Sequence, residues 1–176
     1  MGRSVSGQGM MYQQFLFGGR AMTSVDHDGR MVFPDFVTEV LERRGSARTV
    51  CFGLHERDSC LRAYDESYHR ALFAEIERRR LNDEEAGRTA ADHHSRLRRA
   101  FGFVEQAPVG EDGAIVLPPL LRRKAMIKRA ALIVGVGGSF EIWSPRVARD
   151  AADPLVRELA DLRGSAAAPE EGMLAA

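Results

Sequence analysis

The sequence predicts an α+β fold built from two copies of one small module, with a helical connector between them and a C-terminal helix after them. Three observations carry this. Phe17-Gly18 recurs as Phe101-Gly102, and Asp28-Gly29-x-x-Val32-x-Pro34 recurs as Asp112-Gly113-x-x-Val116-x-Pro118. Both matches keep one spacing without a gap (17 to 101, 28 to 112), and Phe36 then corresponds to Leu120. Each copy also reads in one order: strand, Asp-Gly turn, strand, proline, helix, hairpin. A fixed spacing with Gly and Pro in register marks an internal duplication.

Each module opens with a short strand that leads to its Asp-Gly turn. Asp-Gly between alternating apolar runs is a local hairpin signal, because a type I′ turn needs φ > 0, so the flanking strands are expected to pair with each other. The second strands are Met31-Val32-Phe33 and Ile115-Val116-Leu117. A proline then opens a helix, where its missing N–H costs nothing. The first helix is expected over about residues 35–44, with Phe36, Val37, Val40 and Leu41 on one face and Gly45 as its stop. The second is shorter, about 119–126. Closing hairpins are expected from 49–54 with 60–64, and from 131–136 with 140–143 around Gly137-Gly138.

In the connector, Tyr68, Leu72, Phe73 and Ile76 mark one amphipathic helix. Asn82 or Asp83 is expected to cap a second, running to about Arg99. Ser144-Pro145 reads as N-cap and first residue of a helix that Pro154 interrupts or restarts. The expected organisation is a flexible extension over 1–16, a first module over 17–65, a connector over 66–100, a second module over 101–145, a C-terminal helix over 146–163 and a disordered tail over 164–176. Met10 or Met11 would suit better as a start. A module this small cannot bury a core unaided, so the two copies are expected to complete each other.

A chain of 176 residues with 44% hydrophobic content has room for one domain or two small ones. No run approaches the ~18 apolar residues of a membrane span, and the N-terminal residues lack the apolar stretch of a secretory signal, which points to the cytoplasm. Two cysteines without CxxC spacing fit a reducing compartment. The charge is balanced, 25 against 25. Balance weighs against nucleic-acid binding, since phosphate contacts need clustered positive charge. Yet Lys124 and Lys128 are the only lysines, and Arg suits bidentate contact with phosphate or guanine.

Arg30 is the leading candidate for such a contact. It follows a tight turn, from which a side chain can project into a groove on a rigid base. The competing reading pairs it with Asp26, four residues back, and Asp26 could also orient it. Strand alternation places Arg20, Met22, Ser24 and Asp26 on one face. His27 and Gly29 lie in the turn itself. Elsewhere the bland reading wins. His93-His94 point about 100° apart on a helix and read as a solvated face. Cys51, His55 and Cys60 lack a fourth zinc ligand, and such cysteines more often pack as small apolar residues. Gly135-x-Gly137-Gly138 leads into a strand and reads as a hairpin loop, and Arg78-Arg79-Arg80 reads as solvated surface. No catalytic constellation has supporting context. No enzyme activity, metal, cofactor or small-molecule ligand is therefore expected.

Phe17, then Asp26-His27-Asp28-Gly29-Arg30 and Pro34, resemble the opening of the MraZ family, whose signature here is Asp-x-x-x-Arg. Cys60-Leu61-Arg62-Ala63-Tyr64 resembles the closing strand of that family's first module. Val134-Gly135-x-x-x-x-Phe140-Glu141-Ile142-Trp143 resembles its second. The resemblance covers about residues 17–149. It implies two AbrB-like (SpoVT-AbrB) swapped-hairpin β-barrel modules in one chain. It implies a ring-like homo-oligomer, associated with the nucleoid. It also implies binding to short direct repeats of double-stranded DNA upstream of the gene itself, at the head of the division and cell-wall cluster, as a transcriptional regulator that generally represses. Arg30 is then the expected DNA contact, with Asp26, His27, Gly29 and Arg20 around it.

Two departures stand out. Asp28 occupies a position that is often Lys in the family, and an acid beside a phosphate-contacting turn weakens non-specific attraction. In the second copy the motif register falls on Gly110-Glu111-Asp112-Gly113-Ala114, without the Asp or the Arg. The second module is therefore expected to keep the fold and lose one DNA-contacting arm. These departures motivate a second reading, an interaction scaffold that has lost DNA binding. A third, an AbrB-like antitoxin acting through its tail, fits poorly with a second structured repeat.

Overall fold

The computed structural model describes residues 15–46, 48–87 and 89–161. Most of the expected N-terminal extension, the end of the expected C-terminal helix and the whole expected tail lie outside the described residues. The described chain forms β1 (Arg20–Ser24), β2 (Arg30–Val32), α1 (Asp35–Arg43), β3 (Thr49–Leu54) and β4 (Leu61–Tyr64). The connector helices α2 (Tyr68–Glu85) and α3 (Ala90–Phe101) follow. Then come β5 (Glu105–Pro108), β6 (Ala114–Val116), α4 (Pro119–Lys124), β7 (Ala130–Gly135) and β8 (Phe140–Trp143). Last are α5 (Pro145–Arg149) and α6 (Pro154–Asp161). No described helix is long and apolar enough to cross a membrane.

Local chemistry accounts for most of these elements. Pro34 is extended, Asp35 sits in the first turn of α1 and Arg43 in its last, matching the helix dipole. Val37, Val40 and Leu41 are buried at helical spacing, and Gly45, at φ 62°, stops the helix. Pro154 separates α5 from α6, as its missing N–H requires. The expected cap at Asn82 or Asp83 is corrected. Helix α2 runs through both residues to Glu85, and α3 starts only after Thr89. Asp83 lies inside α2 and accepts a hydrogen bond from Arg96 of α3. His93, expected on a solvated face, is buried with Nε2 3.1 Å from Glu77 Oε1.

Two antiparallel sheets form, a six-stranded sheet in the order β1-β7-β8-β4-β3-β5 and a two-stranded ladder of β2 with β6. The expected local hairpins about the Asp-Gly turns are therefore corrected. The turns are present, but β1 pairs with β7, β5 pairs with β3, and β2 pairs with β6. Each strand finds its partner in the other copy. The β2–β6 register is reciprocal: Met31 faces Ile115, Arg30 faces Val116 and Val32 faces Ala114. Residues 31 and 115 are the same position of the repeat. The same reciprocity extends beyond the ladder, where Phe33 N donates to Gly113 O (3.0 Å) and Leu117 N donates to Gly29 O (2.9 Å). In the larger sheet, β4 and β8 close the two hairpins and pair about Arg62 opposite Glu141.

The expected β-barrel does not close among the described residues. Strands β1 and β5 remain the edges of the six-stranded sheet. The three-residue strands β2 and β6 pair with each other across the core instead of extending those edges. The main core lies between the two sheets. Met31, Phe33, Ile115 and Leu117 meet Phe52, Leu61, Ile133, Phe140 and Ile142 there. The Phe33 ring stands edge-on to Phe140 at 5.3 Å.

Alternation along the strands turns the remaining side chains to the other face. There Cys51 and Tyr64 pack on Leu72, Ile76 and Ala100 of the connector helices. Leu132, Trp143 and Cys60 pack on Ala148 and Ala160 of the last two helices. Arg44 ties the layers together. It donates to Asp65 and to the carbonyls of Gly138 and Phe15, and it lies 4.5 Å over the Phe17 ring.

Candidate nucleic-acid interface

The turn between β1 and β2 is closed by its own backbone and by one carboxylate. Asp26 N donates to Arg30 O at 3.0 Å, and Gly29 N donates to Asp26 O at 3.2 Å. Asp26 Oδ1 accepts the N–H groups of Asp28 and Arg30, each at 2.9 Å. The bond from the Arg30 N–H holds Asp26 below the usual carboxylate range, despite the opposing effect of desolvation. Gly29 adopts φ 90°, and a Cβ there would also lie 3.0 Å from Arg122 Nη1. The positive φ favours glycine here, and a Cβ would also press on the Arg122 guanidinium.

Arg122 of α4 clamps this turn from behind. It donates to the carbonyls of His27 (2.9 Å), Asp26 (2.9 Å), Ile127 (3.1 Å) and Lys128 (2.8 Å). The first-copy turn is thus locked onto the second copy's helix, with Asp26, His27, Asp28 and Arg30 exposed and Gly29 buried.

The second-copy turn repeats the backbone geometry without the motif residues. Gly110 N donates to Ala114 O (2.8 Å) and Gly113 N to Gly110 O (3.0 Å). Asp112 folds back so that its Oδ1 accepts the Ala114 N–H at 3.0 Å, the bond that Asp26 makes in the first copy. A Cβ on Gly110 would stand 2.6 Å from that oxygen. The missing side chain at 110 and the relocated carboxylate are therefore two sides of one rearrangement.

The other Asp112 oxygen accepts the Arg30 guanidinium at 3.1 Å. The competing reading, an Arg30–Asp26 ion pair, is not what forms: Asp26 orients the backbone of the turn, and Asp112 of the other copy holds the side chain. Arg30 and Asp112 are 56% and 63% exposed at their side chains, so the pair is readily opened. The ladder that carries Arg30 also exposes Val32 and Val116. A two-stranded ribbon of this kind is narrow enough to enter a DNA major groove.

His27 Nε2 lies 3.0 Å from Asp28 Oδ2 at the tip of the turn. Arg20 stands at the opposite end of β1 from this turn, so the cluster comprises Asp26, His27, Gly29 and Arg30 without it. Asp26, His27 and Asp28 carry ligand-type atoms within 4.8 Å of one another, all exposed, and Asp26 is already engaged by two N–H groups. Cys51 and Cys60 are free, buried and in different cores. His55 Nδ1 accepts the N–H groups of Arg57 and Asp58. The Cys51-His55-Cys60 trio is thus not assembled as a ligand set.

Sequence reasoning missed Asp112 and Arg122 as working parts of this site. Gly110 was the available signal for Asp112, because a turn that loses its side-chain acceptor needs another. No sequence signal marked Arg122, whose counterpart in the repeat is Thr38.

No protein-family profile matches the chain. It is 31% identical over 132 residues to the transcriptional regulator MraZ of Thermomicrobium roseum, an alignment spanning 74% of this chain and 82% of that protein. It is 31% identical over 129 residues to the MraZ regulator of Desulforamulus reducens, with 73% of this chain and 82% of the relative covered. It is 28% identical over 129 residues to that of Saccharophagus degradans, with the same two shares covered.

Proposed function

The chain belongs to the MraZ family of transcriptional regulators, and from that premise we propose that it binds DNA through the Asp26–Arg30 turn of its first repeat. The observation that carries this reading is the presentation of Arg30. An exposed guanidinium stands at the end of a two-stranded ladder, on a turn fixed by Asp26, Gly29 and Arg122, with only an exposed ion pair to give up. A preorganised Arg of this kind suits a bidentate contact with guanine or phosphate.

The finer reading has several parts. The two repeats, over 17–65 and 101–145, are AbrB-like swapped-hairpin modules joined by a connector over 66–100. The reciprocal β2–β6 and β4–β8 registers support this. The chain acts as a cytoplasmic, nucleoid-associated repressor of its own promoter and the division and cell-wall genes behind it. It assembles into a ring-like homo-oligomer, and the ring presents one Arg30 turn per subunit to short direct repeats. Weak single contacts then combine by avidity.

A titration of fluorescent duplexes tests the reading, using DNA from upstream of this gene and a scrambled control. Preferential binding by the wild type, lost in Arg30→Ala, is the expected result. Equal binding of both duplexes by wild type and variant would remove the DNA-reading role and leave the interaction scaffold.

A further inference from the structure

Beside the Asp26–Arg30 turn, bordered by Asp26, His27 and Asp28, opens a cleft of about 1210 Å³ lined by Arg123, Lys128, Arg129 and Arg146. All four side chains are exposed. None makes a side-chain hydrogen bond or ion pair with a described residue. Three arginines of the connector are instead ion-paired. Arg79 is paired with Glu56 and Glu75, Arg80 with Glu77 and Glu84, and Arg96 with Asp83. The balanced total charge therefore hides a local cluster, four exposed cations without an acidic partner among the described residues, gathered in one cleft beside the candidate DNA-reading turn. The acids in the cleft are already engaged. Asp26 accepts two backbone N–H groups, and Asp28 faces His27.

The repeat supplies an internal control. The first turn rests against Arg122 of α4, and the second against Thr38 of α1. The residue after Arg122 is Arg123, whereas the residue after Thr38 is Glu39. Met126 likewise corresponds to Glu42. The position that follows the residue packed behind the turn is thus a cation beside the turn that carries Arg30, and an acid, Glu39, already paired with Arg43, beside the turn that lacks the motif.

We infer that Arg123, Lys128, Arg129 and Arg146 form a phosphate-binding cleft that grips the backbone of the DNA whose bases the Arg30 turn reads. The inference rests on the DNA-binding reading above and assigns the affinity to a different set of residues. The turn supplies sequence preference, and the cleft supplies counterion release. Each phosphate neutralised on a duplex contributes about −0.9 to the slope of log K against log salt.

The test is a salt series of anisotropy titrations with the promoter and scrambled duplexes. The proteins are the wild type, Arg30→Ala, the triple variant Arg123→Gln/Arg129→Gln/Arg146→Gln, and the matching triple Arg→Lys variant. All three positions are exposed, and an unchanged thermal midpoint checks the fold. The Gln variant is expected to lose at least about tenfold on both duplexes while keeping their ratio, and to flatten the salt slope by about 2 to 3. The Lys variant is expected to recover most of both, and Arg30→Ala to lose the ratio. Wild-type slope and affinity in the Gln variant would overturn the cleft and leave the turn's role standing. A change in sedimenting mass without a change in slope would instead make the cleft a contact between copies, overturning the inference. If the wild type binds neither duplex, the DNA-binding reading fails and the cleft's role fails with it.

Discussion

Arg30 Nη2 donates to Asp112 Oδ2 at 3.1 Å, joining the turn of the first repeat to the turn of the second. Asp112 Oδ1 meanwhile accepts the Ala114 N–H. One carboxylate therefore shapes its own turn and restrains the residue proposed to read DNA. Asp112→Asn keeps an oxygen acceptor for Ala114 and removes the charge that holds Arg30. An exposed pair contributes roughly 0.2–1 kcal/mol, so promoter affinity is expected to rise by about 1.5- to fivefold. Titration of the promoter duplex checks this; a fall in affinity would mean that the pair positions Arg30 for binding.

Asp26 is expected to act through the backbone. Asp26→Ala removes the acceptor for the Asp28 and Arg30 N–H groups, while Asp26→Asn retains one. Amide exchange at Asp28 and Arg30 should accelerate in the Ala variant and stay near wild type in the Asn variant. The carboxylate titrates below its usual value in the folded chain. Its contribution is therefore present above pH 3.8 and lost as the pH falls through the depressed value. Exchange protection in the wild-type turn should fade in acid with that sign. Proton-exchange NMR distinguishes these outcomes residue by residue.

Arg122 reaches no nucleic acid in the proposed arrangement, yet its loss should weaken DNA binding. Its four carbonyl contacts tie the turn to α4 and to the segment that follows it. Arg122→Met keeps much of the aliphatic stem and removes the guanidinium donor from all four carbonyls, of which Asp26 O keeps the Gly29 N–H. A stability loss of about 1–3 kcal/mol is expected from unmade hydrogen bonds to a charged group. A fall in promoter preference should accompany it. Denaturant unfolding together with the duplex titration would show whether the two effects travel together.

Asp65 is fully buried beside Arg44. Burial pushes its carboxyl up, but hydrogen bonds from Ser67 and Arg44 outweigh that, so it titrates below the usual range. A depressed folded value means stability that is present above pH 3.8 and lost as the pH falls below it. Asp65→Ala leaves Arg44 without its partner, which typically costs about 3–5 kcal/mol for a buried pair. The variant should unfold at lower denaturant at pH 7, and the gap to wild type should shrink in acid. A gap independent of pH would show that packing, not the ion pair, holds Arg44 to its three segments.

Much of the chain's order was written in local chemistry. The repeated Gly and Pro positions located both turns and both helices. Asp-Gly marked turns that do adopt positive φ at Gly29 and Gly113, and alternation placed the closing hairpins. The motif Asp26-x-x-x-Arg30 was visible as a pair of residues, with Arg30 assigned to DNA and its pairing with Asp26 kept as the competing reading. Partner choice was not visible. A β-strand of three to five residues has too few hydrogen bonds to select its neighbour, so the pairing followed burial. Strands β1, β2 and β5 crossed to the other copy, because there they cover a shared core around Phe52, Ile115 and Phe140. That crossing gave Arg30 its partner in Asp112, set Arg122 behind the turn, and gathered Arg123, Lys128, Arg129 and Arg146 beside it. Sequence spacing determines what each turn is. Which charges surround it depends on contacts between residues some 80 to 120 positions apart, and only packing brings those together.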